Sequence, residues 1–177
     1  MYEVEVKIRA DHGTLRSRLG EIGAESAGTV TQVDTYYDHP GRSFEDTDEA
    51  LRIRRETDES GEQAKITYKG PLVDDVSKTR EEAETEVEDG ETMATIIESV
   101  GFDPAATVTK TRERFRSGEY TVTLDTVEGL GEFVEIETEA EEVEPAREGA
   151  IDLLERLGLD PDEGIRTSYL GLLLAGE

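Results

Sequence analysis

The chain has 177 residues, 44 of them acidic and 19 basic, for a formal net charge of −25. So negative a field repels nucleic-acid backbones and anionic lipid surfaces, which argues against both as partners. With no cysteine, disulfides and thiolate metal sites are excluded. One domain over residues 1–177 is the expectation at this length, and no apolar run approaches the ~18 residues of a membrane span. No basic-then-apolar leader opens the chain, so the cytoplasm is the expected compartment. The charge is spread through patterned segments and only five of the basic residues are lysine, which we read as adaptation to high intracellular salt, where screening tames self-repulsion.

Hydrophobic period gives the elements in order. Tyr2, Val4, Val6 and Ile8 alternate with Glu3, Glu5, Lys7 and Arg9, which predicts a strand. Asp11 offers an N-cap, Leu15, Leu19 and Ile22 share one helical face, and Gly23 supplies a stop. Strand patterns return at 29–38, 49–57 and 62–69, with a turn at Asp38–Gly41. A second cycle begins near Lys78. It comprises a strand over 78–88, a helix over 91–100 with Met93, Ile96, Ile97 and Val100 on its apolar face, and strands at 106–117, 119–126 and 132–140. A helix over 145–157 stops at Gly158, and a short apolar helix over 167–175 closes the chain. The two halves repeat a strand–helix–strand order, as an ancient duplication would leave it. Eight strands with a few helices predict an α+β fold, a curved or closed antiparallel sheet with helices packed outside.

The charged faces of these strands carry the functional signal. Glu3, Glu5 and Lys7 lie opposite Val4, Val6 and Ile8; Arg52 and Arg54 lie opposite Leu51 and Ile53; Lys65 and Lys69 lie opposite Ile66 and Tyr68. Lys78, Arg80, Glu82, Glu84 and Glu86 form another row, as do Lys110, Arg112, Arg114 and Arg116. Asp125 opposes Val122 and Leu124 in parity, and Glu135, Glu137 and Glu139 alternate with Val134, Ile136 and Ala140. A solvated sheet face explains any one of these strands. It does not explain why all five lysines, at 7, 65, 69, 78 and 110, fall on such rows in a protein that avoids lysine elsewhere. A tripolyphosphate gives the rows a purpose: Arg and Lys meet its oxygens by charge-assisted hydrogen bonds, and paired carboxylates hold its divalent cation. Cations and carboxylates can share one lumen only if the sheet curls around it.

Glu3-Val4-Glu5-Val6-Lys7 also matches the E-x-E-x-K signature of the CYTH domain. The series continues with Leu51-Arg52-Ile53-Arg54, Ile66-Thr67-Tyr68-Lys69-Gly70-Pro71, Lys78-Thr79-Arg80, Lys110-Thr111-Arg112, Leu124-Asp125 and Gly129-Leu130-Gly131-Glu132-Phe133-Val134-Glu135-Ile136-Glu137. On these residues the chain resembles the CYTH family of triphosphate tunnel metalloenzymes over about residues 2–174. Gln32-Val33-Asp34-Thr35-Tyr36-Tyr37-Asp38 and the Gly-Leu-Gly-Glu-Phe run resemble the branch named after class IV adenylyl cyclases. The resemblance implies a closed eight-stranded antiparallel barrel with Glu3, Glu5, Asp125, Glu135 and Glu137 handling metal ions. It implies that Lys7, Arg52, Arg54, Lys65, Lys69, Arg80, Lys110 and Arg112 hold phosphates, with Glu3, Glu5 and Lys7 closest to the chemistry.

The expected substrate is ATP or another triphosphate, and the expected reaction is adenylyl cyclisation with Mg²⁺ or Mn²⁺, the hard cations that oxygen-only ligands favour. A triphosphatase acting on inorganic tripolyphosphate or thiamine triphosphate is the alternative, and a non-catalytic polyphosphate or nucleotide-binding module is the third reading. A homodimer is compatible with the resemblance. His12 and His39 read as surface residues, and Leu170, Leu172, Leu173 and Leu174 as a docking helix.

Overall fold

Alternation along each strand puts the apolar side chains on one side of the sheet and the charges on the other, and the sheet closes with the charges inside. The computed structural model describes residues 1–176. Its elements are β1 (Tyr2–Arg9), α1 (His12–Glu21), β2 (Glu25–Asp38), α2 (Phe44–Thr47), β3 (Ala50–Asp58), β4 (Gly61–Leu72) and β5 (Lys78–Val87). They continue with α3 (Gly90–Ser99), β6 (Asp103–Ser117), β7 (Tyr120–Val127), β8 (Gly131–Ala140), α4 (Val143–Arg156) and α5 (Tyr169–Leu174). The strands form a closed antiparallel barrel in the order β1-β5-β4-β3-β2-β6-β7-β8. Exchanging the halves β1–β4 and β5–β8 maps that order onto its own reverse, so the repeat read in the sequence is also a repeat of topology.

Small barrels usually fill their interior with apolar side chains. Here the apolar clusters lie against the outer wall. Val6, Ile8, Val122, Leu124, Val134 and Ile136 pack under Leu15 and Leu19 of α1 and Leu153 and Leu154 of α4. Ile97 of α3 packs on Tyr37 and Ile53. At one end of the barrel Tyr169 and Leu172 of α5 close on Val108, Val127 and Phe133. Burying this outer face, at about 25 cal/mol per Å² of apolar surface, leaves the lumen free to be polar.

The expected elements are all present, and β2, β4 and β6 run several residues longer than the periodicity marks. β2 begins at Glu25, four residues before the alternation does, because a bulge between Ser26 and Thr29 breaks the register there. Gly28 sits in that bulge at φ 96°, a conformation glycine adopts without strain. β4 runs on through Pro71 after a register shift between Lys69 and Leu72. The four-residue α2, N-capped by Ser43, has no sequence counterpart, since one turn is too short to show a period. Among the described residues no helix is long and apolar enough to cross a membrane.

Candidate active site

The lumen holds a cavity of about 560 Å³. Ten of the thirteen site residues expected from sequence line it: Glu3, Glu5, Arg52, Arg54, Lys65, Lys69, Lys110, Arg112, Glu135 and Glu137. Strand pairing explains the convergence. On β1, Glu5 is the register partner of Glu137 on β8 and of Lys78 on β5, while Glu3 is the partner of Glu139 and Arg80. Carboxylates at i and i+2 on one strand and at the facing position of the next therefore point into the same small volume.

That volume is a carboxylate corner. One oxygen from each of Glu3, Glu5 and Glu137 lies within 4.8 Å of the others. Burial would raise all three. For Glu3 the Lys69 ammonium, 2.7 Å away, wins and holds the carboxyl well below its usual range. For Glu5, burial and the Glu135 charge outweigh the Lys78 ammonium at 3.2 Å, and its pKa rises. Glu137 is pushed up to about 8 by burial and by Glu3, with Arg112 opposing, and it makes no salt bridge among the described residues. Glu82, beside Glu3, is raised to about 7 by burial, against the pull of Lys69. Three carboxylates, Glu5 buried and Glu3 and Glu137 half-buried, with too few counter-charges are the donor set a hard divalent cation satisfies: all oxygen, close together, and electrostatically incomplete without it.

The opposite wall is built of cations held in place by acids. Arg54 donates from Nε and Nη2 to the two oxygens of Asp34 at 2.7 and 2.8 Å. Lys110 approaches Asp34 at 3.4 Å and Arg52 at 3.7 Å. Burial opposes ionisation of Asp34, but Lys110, Arg54 and Arg52 together hold it well below the usual carboxylate range. Arg112 makes the same forked contact with Asp125, 2.7 Å for each bond, and reaches Glu135 at 3.2 Å. Arg52 is the least committed of these cations. Its second contact, to Glu84, is 4.0 Å long, and its Nε meets no partner although the residue is buried. A phosphate oxygen would complete it.

The remaining three expected residues sit elsewhere. Lys7 is buried; its Nζ donates to the Thr167 carbonyl and lies 4.3 Å from the Tyr169 ring centroid, and the side chain borders a separate cavity beneath α4. Burial and the neighbouring Lys78 lower its pKa to about 8. Arg80 donates to the carbonyls of Gly70 and Asp48 at 2.7 and 3.0 Å and to the Asp48 carboxylate at 3.2 Å, tying α2 to the wall. Asp125 lies outside the carboxylate corner, with both oxygens taken by Arg112 and a further bond from the Tyr169 hydroxyl at 2.7 Å.

Beyond Lys78 and Glu82, three further contributors were not among the expected site residues. Asp34 lies on β2 amid uncharged neighbours, and only its parity with Gln32 and Tyr36 could have marked it as inward. Tyr169 opens a helix that reads as a docking element, yet it lines the charged lumen. Glu56 receives Arg114 at 2.9 Å and Gln32 at 2.7 Å near the open mouth, where its alternation with Arg52 and Arg54 was the available sign.

A larger cavity, about 900 Å³, adjoins the lumen at the end covered by α5 and shares Tyr36, Arg52, Lys69, Lys78 and Ser168 with it. Its other walls mix apolar Tyr37, Phe44, Leu51, Leu170 and Leu174 with charged Asp38, Glu45, Asp48, Glu49, Arg80 and Arg166, so it is more apolar than the lumen but not uncharged.

Comparison with known proteins agrees with this architecture. The CYTH domain matches residues 1–169. A Methanocaldococcus jannaschii protein that carries a provisional adenylate cyclase name is 38% identical over 176 residues, 97% of this chain and 98% of that protein. Adenylate cyclase CyaB of Aeromonas hydrophila is 32% identical over 173 residues, 95% of this chain and 86% of that protein. The solved structure of a Pyrococcus horikoshii OT3 protein superposes with a TM-score of 0.89 at 39% identity, covering 99% of each chain. With this match along nearly its whole length, the chain belongs to the CYTH domain family.

Proposed function

We infer that the protein is a class IV-type adenylyl cyclase, converting ATP to cyclic AMP and pyrophosphate inside the barrel. The observation that carries the reading is the division of the lumen: a carboxylate corner at Glu3, Glu5 and Glu137 faces a wall of oriented cations at Arg52, Arg54, Lys110 and Arg112. The cations bind and orient the phosphate chain and stabilise the charge that builds on the leaving pyrophosphate. Asp34 and Asp125 fix the guanidinium planes beforehand, so little reorganisation accompanies the reaction. In the cyclisation the ribose 3′-hydroxyl gives its proton to solvent water and its oxygen bonds to the α-phosphorus, as the bond from that phosphorus to the α–β bridging oxygen breaks and pyrophosphate leaves with that oxygen. Glu3, Glu5 and Glu137 would hold Mg²⁺ or Mn²⁺, which supplies charge neutralisation and a lower pKa for a nearby hydroxyl. The aromatic and aliphatic wall of the cavity beside the lumen, with Tyr36, Tyr37, Phe44 and Leu51, suits a nucleoside head and favours a nucleotide over bare tripolyphosphate.

A triphosphatase is the second reading. It uses the same residues with water attacking the terminal phosphorus, and it is favoured by a lumen in which only Tyr36 and Tyr169 offer aromatic faces to a base. Phosphorus NMR of the protein with ATP, tripolyphosphate or thiamine triphosphate, in molar KCl with Mg²⁺ or Mn²⁺, separates the two. Cyclic AMP with pyrophosphate establishes the cyclase; orthophosphate without cyclic AMP replaces it with the hydrolase. Folded protein that binds these anions and leaves them intact is a binding module. The same salt series tests the reading of the acidic surface, because a salt-adapted protein loses structure as KCl is withdrawn.

A further inference from the structure

Lys78 stands where three cavities meet. It borders the charged lumen, the larger cavity at the covered end, and a third of about 380 Å³ beneath α4. Its Nζ is spent on Glu5, 3.2 Å away. Lys69 treats Glu3 in the same way at 2.7 Å, with Glu82 at 3.1 Å. Two ammonium groups thus rest on two of the three carboxylates that crowd the corner, and both side chains are only 11% exposed. A divalent cation taking up those carboxylates would have to share the space with both ammonium charges, in a site where uncompensated charge is costly. The long lysine stem offers the way out. The ammonium can swing while the Cα stays in the barrel wall, and both stems border the cavity where the wall of arginines begins.

We propose that Lys78 is a further phosphate-binding residue, and that Lys78 and Lys69 rest on Glu5 and Glu3 until a divalent cation displaces them toward the triphosphate. The proposal depends on the triphosphate reading above. Its consequence is positive coupling between metal and anion. The cation releases two ammonium groups that need an anionic partner, and the anion removes the cation's competitors; the effect must be reciprocal. Neither ligand should bind tightly alone.

Calorimetry with Mn²⁺ and a methylene-bridged tripolyphosphate analogue tests this without turnover. In the unmodified protein the analogue should tighten Mn²⁺ binding by about tenfold or more, within the ordinary range of coupling between sites. Lys78→Met should bind Mn²⁺ alone about tenfold more tightly and lose much of that coupling, while Lys78→Arg should stay close to the unmodified protein. Mn²⁺ affinity that is unchanged or weaker in a folded Lys78→Met protein overturns the proposal and leaves the carboxylate corner standing. Absence of Mn²⁺ binding in the unmodified protein, with and without the analogue, overturns the corner itself. A second measurement needs no substitution of Lys78 or Lys69 in the protein observed. With only five lysines in the chain, ε-¹³C-lysine NMR can follow each one. Mg²⁺ should move the Lys69 and Lys78 signals and the analogue should move them again; signals that stay fixed at saturating Mg²⁺ overturn the exchange.

Discussion

Asp34, fully buried, and Glu137, half-buried, are acids of the same barrel interior, and they have opposite electrostatic fates. Asp34 faces Arg54, Arg52 and Lys110 and is held far below the usual carboxylate range. Glu137, the register partner of Glu5 on the neighbouring strand, meets mainly other carboxylates and is pushed up to about 8 by burial and Glu3. The pattern repeats with the halves of the barrel. Asp34 pairs across β2–β3 with Arg54, and Asp125 pairs across β7–β6 with Arg112, the same strand positions with acid and base exchanged. These two saturated pairs are scaffold for the cations. The carboxylate corner has no counterpart on the opposite wall, and its incompleteness is what marks it as a site.

The largest effect should come from neutralising the corner. Replacing Glu3 and Glu5 together with glutamine removes two of the corner's three carboxylate charges at nearly constant shape. Turnover in the product assay should fall by about 10²–10³-fold or more, the scale seen when a key electrostatic stabiliser is lost. Turnover close to that of the unmodified protein would place the metal elsewhere.

Neutralising a scaffold acid should break the fold before the chemistry. Asp34→Asn strands Arg54 and Lys110 as buried cations, which costs about 3–5 kcal/mol and should be read as a lower denaturation midpoint. Asp125→Asn should cost less, because Arg112 keeps Glu135 at 3.2 Å as a second partner. Equal losses for both would show that the two pairs are interchangeable in strength as well as in position.

The corner and the cation wall also make opposite contributions to pH dependence when divalent cations are chelated. Glu137 moves from its ordinary 4.5 to about 8 and Glu82 to about 7, so from pH 5 upward the folded protein keeps protons that the unfolded chain has released. Stability falls as pH rises across that window. Lys110 is lowered from 10.5 to about 7, by burial and Arg54, and Lys7 to about 8. Above those values the unfolded chain holds the extra protons, so stability recovers toward pH 10. Thermal melts in chelator at fixed salt should show a dip near pH 7–8, and Glu137→Gln should flatten its acidic limb. A midpoint that rises steadily from pH 5 to 8 would contradict the strained corner.

Much of this was legible in the sequence because strand parity is a strict code. Once Glu3, Arg52, Lys69, Lys110 and Glu135 are assigned to strands, the face of each is fixed, and the closed barrel turns one face inward. What parity does not carry is depth along the barrel and choice of partner. Lys7 has the parity of Glu5, yet its stem bends toward the Thr167 carbonyl, a contact 160 residues away in sequence. Arg80 follows the register shift after Lys69 and is drawn to Asp48, a left-handed residue at φ 56° that no periodicity reveals. Asp125 matches its expected strand and face, but the Tyr169 hydroxyl and Arg112 claim its oxygens.

Depth along the barrel also sets the smallest expected effect. Lys65 lines the lumen near its open mouth, with its side chain 28% exposed and its closest acid, Glu84, 3.8 Å away. A partly exposed pair held at that length is worth about 1 kcal/mol or less. Lys65→Met should therefore raise KM for the triphosphate by no more than about fivefold and leave kcat unchanged. Lys69→Met removes a cation buried against Glu3 and should change both. If Lys65→Met instead lowers kcat tenfold or more, the reacting phosphorus lies toward the open mouth. The division of labour between corner and mouth would then be reversed.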